Sequence, residues 1–423
     1  MKTASDRLPE RAGVVAARAA QVRWAEVAVG RRLRVVRAFR GLLAERCDEW
    51  AELTADVCGR PAAEKLASEV LPLADACKWL ERNAGAVLKP KRHGVRGRPL
   101  WLQGVRMEIR RRALGLVLVI GPGNYPLFLP CVQVLQALAA GNAVLLKPAP
   151  GTRRIALEFH AMLVEAGLDP SLLAVLEERV EDARDAIGGG VDKVVFTGSS
   201  ENGRDVMSYL AGTNTPAVME LSGDDPVVVF DDADLGLVAG ALRFGLRLNG
   251  GETCMVPRRV FAQEGIARRV REVAGGLPVE EFRDEDSAHA LVNALAMGLG
   301  VSVFTGTEAR GRAFAREVRS GFAVVNDVIA PTADPRMPFG GIKGSGFGST
   351  RGAEGLLEMT HPHVVVVRGG RRRWHFDDLE AVHQPLFSSY IRAVHGGSGR
   401  RLRALVDLAK AALRVQQHKT RKS

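Results

Sequence analysis

The sequence has few of the residues that build disulfide frameworks and metal sites. Its 423 residues include five widely spaced cysteines and no CxxC pair, and its nine histidines form no HExxH motif. A disulfide scaffold and a zinc site are therefore not expected, and no metal is predicted. This cysteine usage is typical of proteins in a reducing compartment such as the cytoplasm.

Long apolar runs are also missing. No stretch approaches the roughly 18 apolar residues of a membrane-spanning helix, and Met1–Arg7 leads into a charged segment without the apolar core of a secretory signal. With 46% hydrophobic and 25% charged residues, the composition is that of a globular protein of two or three domains. We expect a cytoplasmic protein without membrane insertion.

Acidic residues are outnumbered, with 48 Asp and Glu against 59 Lys and Arg and a net charge of +11. The excess is concentrated in segments such as 92–112 and 400–422. Aromatic residues make up 5% of the chain and do not interleave these segments as a base-stacking platform requires. We predict no nucleic-acid partner and interpret the charge as a solvated basic surface or an arginine-favouring composition.

The periodicity of the apolar residues predicts an α/β protein. Spacings of three and four indicate helices over residues 11–88, and an alternating stretch around Gly104 predicts a hairpin within 101–112. From residue 114 to about 210, buried strands alternate with helices, which is typical of a Rossmann-type parallel sheet with helices on both faces. A second alternating region begins near residue 227, and a basic helical segment follows residue 369.

One thiol and one carboxylate carry the strongest chemical signal. Cys254 lies in a turn of small residues, Asn-Gly-Gly-Glu-Thr-Cys, and follows Glu220 of Met-Glu-Leu-Ser-Gly by 34 positions. A thiol on such a turn is open to a carbonyl carbon, and a carboxylate can activate water against the resulting thioester, which indicates covalent catalysis on an aldehyde or acyl group. The competing interpretations are a buried structural cysteine and a surface carboxylate at a strand end.

Three further features lie at predicted strand ends. Asn124 follows Gly-Pro-Gly and is placed to donate to an oxyanion, although Asn is also common in turns. Lys147 ends a strand where ligands of parallel sheets bind, although it fits a surface lysine equally. Gly198 and Ser199 join a strand to a helix whose free N–H groups suit a pyrophosphate, and the alternative is an ordinary tight turn.

These motifs resemble the aldehyde dehydrogenase superfamily over about residues 15–367. They occur in that family's order: Gly-Asn-Tyr-Pro, Leu-Lys-Pro-Ala, Phe-Thr-Gly-Ser, Glu-Leu-Ser-Gly, Gly-x-Thr-Cys-x-x-Pro-Arg-Arg and Pro-Phe-Gly-Gly-x-Lys-x-Ser-Gly. The resemblance implies an aldehyde dehydrogenase-like α/β fold. Such a fold has a Rossmann-type parallel-sheet cofactor domain, a smaller α/β catalytic domain and an oligomerisation hairpin.

The resemblance also implies NAD(P)-dependent oxidation of an aldehyde to a carboxylic acid through a cysteine thiohemiacetal and a thioester. By analogy, Cys254 is the nucleophile, Glu220 is the general base, and Asn124 with the Cys254 backbone N–H forms the oxyanion hole. NAD or NADP would be bound by a group of six residues, namely Lys147, Gly198, Ser199, Gly203, Pro122 and Leu221. The alternatives are a nucleotide-binding protein without turnover and a reductase of acyl thioesters or acyl phosphates.

The same resemblance implies a division of the chain into parts. It also implies that the protein forms a homodimer or homotetramer and that it binds a small aldehyde. The implied parts are N-terminal helices of the cofactor domain (1–100), an oligomerisation hairpin (101–112), the dinucleotide-binding domain (113–222), the catalytic domain (223–345), a C-terminal return with an oligomerisation strand (346–368) and a basic helical tail (369–423).

Two departures from the family pattern lead to further expectations. The stretch between Cys254 and residues 298–304 is shorter than in the family. Glu272 stands in the place of the glutamate of a ribose-binding motif, and no role is assigned to this residue. An apolar stripe in the tail is expected to cover the sheet edge that this shortening exposes; it comprises Leu402, Leu405, Val406, Ala409 and Leu413.

The second departure lies near the dinucleotide site. Pro150 stands where many NAD-using relatives have a glutamate, and Arg153 and Arg154 follow it. Because an arginine suits a 2′-phosphate, NADP is kept beside NAD as the cofactor. Gly123 replaces a tryptophan that is frequent in the family, which is expected to widen the substrate tunnel.

Overall fold

The computed structural model describes residues 8–370, 373–397, 399 and 401–422. The chain forms two compact units: unit 1 comprises residues 1–93 and 107–365, and unit 2 comprises 94–106 and 366–423. Met1–Arg7, on which the expectation about a secretory signal rests, lies outside the described residues. None of the described helices is long and apolar enough to cross a membrane.

Helices fill the N-terminal part of unit 1, as the spacing of its apolar residues predicts. They are α1 (Leu8–Glu26), α2 (Val29–Glu45), α3 (Cys47–Cys58), α4 (Ala62–Lys65) and α5 (Leu71–Val87), with a π-helical turn at Leu66–Val70 between the last two. Phe39, Leu43 and Leu73 are fully buried on their inner faces. Each such side chain contributes about 1.5–3 kcal/mol through its removal from water.

The predicted hairpin is wrong in its first half. β1 (Lys91–His93) pairs antiparallel with β2 (Val105–Ala113), Lys91 opposite Ile109. Leu100–Leu102 form a 3₁₀ turn instead of a strand, and Gly104 has a φ of +79° that a regular strand does not use. The strand that pairs with β2 therefore precedes the predicted segment.

A six-stranded sheet organises the first alternating region. Its strands and helices are β3 (Leu116–Ile120), α6 (Phe128–Ala140), β4 (Ala143–Lys147), α7 (Arg153–Glu165), β5 (Leu173–Val175), α8 (Val180–Gly188), β6 (Lys193–Thr197), α9 (Ser200–Leu210) and β7 (Ala217–Glu220). These five strands are parallel, in the order β7-β6-β3-β4-β5, which confirms the predicted sheet. The sixth strand comes from a later part of the chain. The strand order reverses beside β3, where open parallel sheets bind ligands.

A five-stranded parallel sheet follows, in the order β10-β9-β8-β12-β13. Its region contains β8 (Asp225–Val229), α10 (Leu235–Arg247), β9 (Pro257–Gln263), α11 (Ala267–Val273), β10 (Val279–Phe282), α12 (Glu285–Ala294), β11 (Met297–Gly298), β12 (Gly300–Phe304), α13 (Glu308–Glu317) and β13 (Phe322–Val325). The shortened stretch after Cys254 thus still supplies the edge strand β10. Glu272 lies exposed on α11.

The chain then returns to the first sheet. The elements are β14 (Ile342–Lys343), β15 (Gly346–Phe347), α14 (Gly352–Glu358) and β16 (Thr360–Arg368). β15 pairs antiparallel with β7, with Gly346 opposite Glu220. A Cβ on Gly346 would lie 1.9 Å from the Met219 carbonyl oxygen, so only glycine allows this close approach. β16 completes a three-stranded sheet in the order β1-β2-β16.

Unit 2 contains α15 (Gln384–His395) and α16 (Arg401–Lys422), which pack against each other. The buried residues on these helices are small or medium in size: Ser389, Ala393, Ala404, Ala411 and Val415. The stripe that we expected to cover a sheet edge is exposed instead, with Leu402 80% and Leu413 59% accessible. That expectation is wrong, because the side of α16 that packs is the side with alanines.

Candidate active site

A cavity of about 520 Å³ opens in unit 1 where the carboxyl ends of four strands meet. It is lined by the last residues of β3, β4, β6 and β7, which are Ile120, Lys147, Thr197 and Glu220. The candidates that sequence reasoning singled out and that also line it are Pro122, Asn124, Gly198, Ser199 and Cys254. Among these residues, Ile120 and Cys254 lie furthest apart in sequence, by 134 positions, yet both line the same cavity.

Two of the predicted cofactor-binding residues, Gly203 and Leu221, do not line this cavity. A Cβ on Gly203 would lie 2.5 Å from Cδ2 of Leu221. The glycine therefore lets α9 pack closely on the chain that follows β7. In this structure the two residues position the cavity wall without reaching the cavity.

The turn that carries Cys254 follows α10 and uses left-handed backbone conformations. Asn249, Gly250 and Gly251 have φ values of 49°, 63° and 77°. Glycine adopts this region without steric cost, and Asn is among the few other residues that tolerate it. The Thr253 hydroxyl is hydrogen-bonded to the Tyr125 hydroxyl at 2.8 Å, which fixes the turn one residue before the thiol.

A buried ion pair supports the turn from below. Lys65 Nζ is 3.0 Å from Glu69 Oε1 and donates to Asn249 Oδ1 at 3.0 Å. Glu69 Oε2 accepts from the backbone N–H groups of Leu127 and Phe128, at 2.8 and 3.1 Å, where α6 begins. A carboxylate at a helix N-terminus is stabilised by the unpaired N–H groups there. One network thus joins the π-helical turn, α6 and the cysteine turn.

Sequence reasoning missed this network. A Lys and a Glu four positions apart on a helix are typical of an exposed pair, yet both side chains are fully buried. Their signal is that they interrupt an apolar face near Leu66 and Val70.

Asn124 lies beside the cysteine turn. Its side-chain Nδ2 donates to the Glu252 backbone carbonyl oxygen at 2.6 Å. Its backbone carbonyl oxygen accepts from Asn249 Nδ2 at 2.8 Å. Because an amide nitrogen carries two N–H groups, one remains for another acceptor. The arrangement holds the amide against the turn that presents the thiol.

Glu220 ends β7 and is buried, with 3% of its surface accessible. Burial raises the pKa of its carboxyl group to about 7, although hydrogen bonding with Cys254 and the charge of Arg351 oppose the shift. Its Oε1 has no hydrogen-bond partner among the described residues. A carboxyl group with this pKa exchanges a proton readily near neutral pH, as a general base requires.

The Cys254 thiol is held in its neutral form. Burial raises the pKa of the thiol well above its usual range, and the negative charge of Glu220 adds to the effect. Gly223 N donates to the Cys254 carbonyl oxygen at 3.2 Å, which anchors the Cys254 backbone beside the residues after β7. A neutral thiol needs a proton acceptor before it can attack, and Glu220 is the adjacent carboxylate.

Arg351 was missed by sequence reasoning, since nothing in Gly-Ser-Thr-Arg-Gly marks it. It is 4% exposed, precedes α14 with a φ of 61°, and its guanidinium lies 4.5 Å from the ring centre of Phe339. Burial lowers its pKa to about 10, so the group stays protonated at neutral pH. Its positive charge favours the ionised forms of both Glu220 and Cys254.

The residues at the start of α9 suit a dinucleotide. Gly198, Ser199 and Asn202 line the cavity, and Ser199 caps the helix, its Oγ accepting from Asn202 N at 3.2 Å. The free N–H groups of a helix N-terminus favour an anion. Lys147 is buried, and burial lowers the pKa of its amino group. Arg184, whose guanidinium lies 4.5 Å from the ring centre of Tyr209, also lines the cavity.

The arginines that were expected near a 2′-phosphate are engaged elsewhere. Arg153 pairs with Glu177 at 2.8 Å and Arg154 with Asp56 at 3.5 Å, and neither lines the cavity. Arg184 is a basic side chain of the cavity lining that sequence reasoning missed. No group of His, Cys, Asp and Glu that could hold a metal occurs among the described residues.

Comparison of the sequence with protein-family models finds the aldehyde dehydrogenase family, which matches residues 6–275 and 276–365. A 4,4'-diapolycopene aldehyde oxidase from Methylomonas sp is 26% identical, over 82% of this chain and 79% of the relative. A betaine aldehyde dehydrogenase from Cereibacter sphaeroides is 28% identical, over 83% and 87% of the two chains.

The fold is similar to solved structures of the same kind. An NAD-dependent aldehyde dehydrogenase from Sinorhizobium meliloti superposes with a TM-score of 0.80 at 24% identity, covering 88% of this chain and 89% of that one. An aldehyde dehydrogenase from Mycobacterium tuberculosis in complex with NAD+ gives 0.78 at 23% identity, covering 85% and 90%. Both confirm the predicted fold class.

Proposed function

Because the chain belongs to the aldehyde dehydrogenase family, it is an NAD(P)-dependent oxidoreductase that acts on aldehydes, and we propose that it works through a thioester on Cys254. One observation supports this most directly. A single cavity is lined by Cys254, Glu220 and Asn124 together with Lys147 and the residues at the N-terminus of α9. Division of the chain into a cofactor domain (113–222) and a catalytic domain (223–345) is part of the same proposal.

The lining of the cavity around Lys147 and the start of α9 fits NAD or NADP. The amino group of Lys147 and the first-turn N–H groups of α9 would hold the ribose and the pyrophosphate, and Gly198 leaves the backbone open to close approach. A Cβ on Gly198 would lie 2.7 Å from the Phe196 ring, so the open backbone depends on glycine. Bound NAD or NADP supplies the acceptor for the hydride that leaves the substrate carbon.

The first chemical step makes a covalent adduct. Glu220 accepts the thiol proton as Cys254 Sγ bonds to the aldehyde carbon, and the carbonyl oxygen becomes an alkoxide. The free N–H of the Asn124 amide and the Cys254 backbone N–H donate to this oxygen. Loss of hydride from the carbon then restores the carbonyl bond and leaves a thioester on Cys254.

The second step hydrolyses the thioester. Glu220 first releases to solvent the proton that it took from the thiol. As a carboxylate it then takes a proton from water while the water oxygen attacks the thioester carbon. The carbon–sulfur bond breaks, the carboxylic acid leaves, and Glu220 returns the proton to the Cys254 sulfur. The positive charge of Arg351 favours the carboxylate form of Glu220 that both steps need.

Self-association and a cytoplasmic location complete the proposal. Val364 to Val367 on β16 are 40–58% exposed, and a run of exposed valines on a strand is typical of a surface that pairs with another chain. A homodimer or homotetramer follows, with a small aldehyde as the other partner. All five cysteines are free, which fits a reducing compartment.

The test is to replace the nucleophile. Wild-type protein mixed with an aldehyde panel and NAD or NADP should reduce the cofactor, and Cys254→Ala should lower the rate at least about 10⁴-fold because no thioester forms. Intact-protein mass spectrometry should detect the acyl adduct on wild-type protein only. Cys131→Ala, at a buried cysteine that does not line the cavity, is the control and should keep its activity. Undiminished turnover in Cys254→Ala would remove the thioester from the proposal.

A further inference from the structure

The last helix of the chain is packed with its apolar side outward. One face of α16 is apolar, and we call it the outer stripe. Because successive helical residues are about 100° apart, its five residues together cover an arc of about 100° around the helix axis. They are Leu402, Leu405, Val406, Ala409 and Leu413. All five residues are exposed. The buried residues Ala404, Ala411 and Val415 lie on the opposite side.

α15 repeats the arrangement. Phe387 and Ile391 are 48% and 57% exposed, while Ser389 and Ala393 on the other side of the helix are buried. A helix whose apolar face packed against the rest of the same chain would bury the phenylalanine and isoleucine and expose the serine. Both α15 and α16 therefore expose an apolar face that is suited to binding a partner outside the chain.

Charge narrows the choice of partner. Residues 369–423 contain twelve Lys and Arg against four Asp and Glu, a net charge of +8, whereas the whole chain carries +11. On α16 a row of basic residues lies about 40–80° around the helix from Val406, at one edge of the outer stripe. That row consists of Arg403, Lys410, Arg414 and Arg421.

A second copy of the chain fits this surface poorly. Two α16 helices joined along the outer stripe would bring two rows of arginine and lysine together, with Asp407 as the single acidic residue on each helix. Like charges that flank an apolar seam oppose pairing, whereas stable helix pairs carry complementary charges there. An acidic partner with an apolar layer satisfies both features.

We propose that the outer stripe and the basic row of α16 bind the surface of a membrane that contains anionic lipid. The apolar residues enter the boundary between headgroups and acyl chains, and the arginines and lysines extend along it to phosphate and carboxylate groups. The binding is peripheral, since no described helix is able to cross a membrane. It goes beyond the proposed function and does not depend on it.

Vesicle flotation of the full-length protein tests the proposal. The protein should float with vesicles of phosphatidylcholine and phosphatidylserine, stay behind with phosphatidylcholine alone, and dissociate at high salt. Replacing Leu402, Leu405 and Leu413 by Ser should lower the bound fraction at least about tenfold, and so should reversing Arg403, Lys410 and Arg414 to Glu. Because these side chains are exposed, both variants should keep the Tm and aldehyde turnover of wild type.

Matched controls separate the stripe from surface chemistry in general. Leu237→Ser, at an exposed leucine on α10, and the combination Arg34→Glu, Arg268→Glu and Arg269→Glu, at exposed arginines of unit 1, should bind vesicles as wild type does. Equal loss in the controls would overturn the proposal. So would failure to float, or preferential binding of nucleic acid. A dimer that only the stripe variants dissociate, without vesicle binding, would assign the surface to a second copy instead.

Discussion

Unit 1 and unit 2 place their apolar residues in opposite ways. In unit 1, Phe39 and Phe159 are fully buried with ring centres 5.2 Å apart in an edge-to-face contact. In unit 2, Phe376 is 76% and Leu402 80% exposed, while small residues such as Ala404 and Ala411 are buried. Unit 1 is stabilised by the burial of large apolar side chains within the chain. In unit 2 much of the large apolar surface stays exposed, so it is available to a partner outside the chain.

Charged residues differ in the same sense. Lys65 and Glu69 in unit 1 are fully buried, and each is held by more than one partner. The basic row of unit 2 lies on an exposed helix. A buried charge becomes costly when its partner is removed, whereas an exposed one is solvated by water. Substitutions in the two units should therefore have very different consequences.

The largest effect is expected at the buried carboxyl group of unit 1. Glu220→Gln should lower the steady-state rate about 10²- to 10⁴-fold, because the amide cannot take a proton from water. Wild-type turnover should rise with pH through about 7 as the carboxyl group ionises. Rapid-quench kinetics on the variant should show that the acyl adduct accumulates. Glu354→Gln, on α14, is the control; an equal loss there would point to damage to the fold.

The next largest effect is expected at the ion pair beneath the cysteine turn. Lys65→Met leaves Glu69 buried without its cation, which should lower the free energy of unfolding by about 3–5 kcal/mol. Urea denaturation measures it, with Lys89→Met at an exposed site expected to match wild type. The double variant Lys65→Met, Glu69→Gln should recover part of the loss. A small change in Lys65→Met would mean that water reaches the pair.

Arg351 should act on the pH profile more than on the fold. Removing its charge in Arg351→Met destabilises the Glu220 carboxylate, so the pKa of Glu220 rises further and the activity midpoint moves upward by roughly half to one pH unit. Cys254, Thr197 and Arg351 are the groups that act on this carboxyl. Arg351→Lys should restore most of the profile. A uniform loss at every pH, without displacement of the midpoint, would show a structural role only.

The smallest effect is expected on the outer stripe. Leu405→Ala should change the free energy of unfolding by no more than about 0.5 kcal/mol, since the side chain is 51% exposed. Leu163→Ala, at a fully buried leucine of unit 1, should cost about 2–5 kcal/mol in the same denaturation experiment. Similar losses at the two sites would break the contrast between the units.

Much of unit 1 could be predicted because its signals are local. The βα alternation identifies the parallel sheet, and the motifs around Cys254, Glu220 and Asn124 carry the resemblance to the family. The catalytic and binding roles of these residues stay predictions that the substitutions above would test. Gly203 and Leu221 show the limit of analogy, because residues of one motif divide between lining a cavity and packing behind it.

The rest depends on contacts that sequence patterns do not record. Lys65 and Glu69 have the spacing of a surface pair, and only the chain packed above them makes them buried. Arg351 comes near Glu220 because β15 pairs with β7. The outer stripe of α16 has the periodicity of a packed helix, but periodicity does not say whether the partner belongs to the same chain.

Contacts between residues far apart in sequence have a consequence for the biosynthesis of this protein. Lys65 reaches Asn249 across 184 positions, and Gln136 reaches the Gly352 carbonyl across 216. Such long closures form late, because the entropy of ordering the intervening chain must be overcome first. At synthesis rates of about 5–20 residues per second, Cys254 is synthesised seconds before β15, the later of the two strands that pair with β7 at Glu220. The surroundings of the Cys254 thiol are therefore completed only after residues 346–347 have been added to the chain.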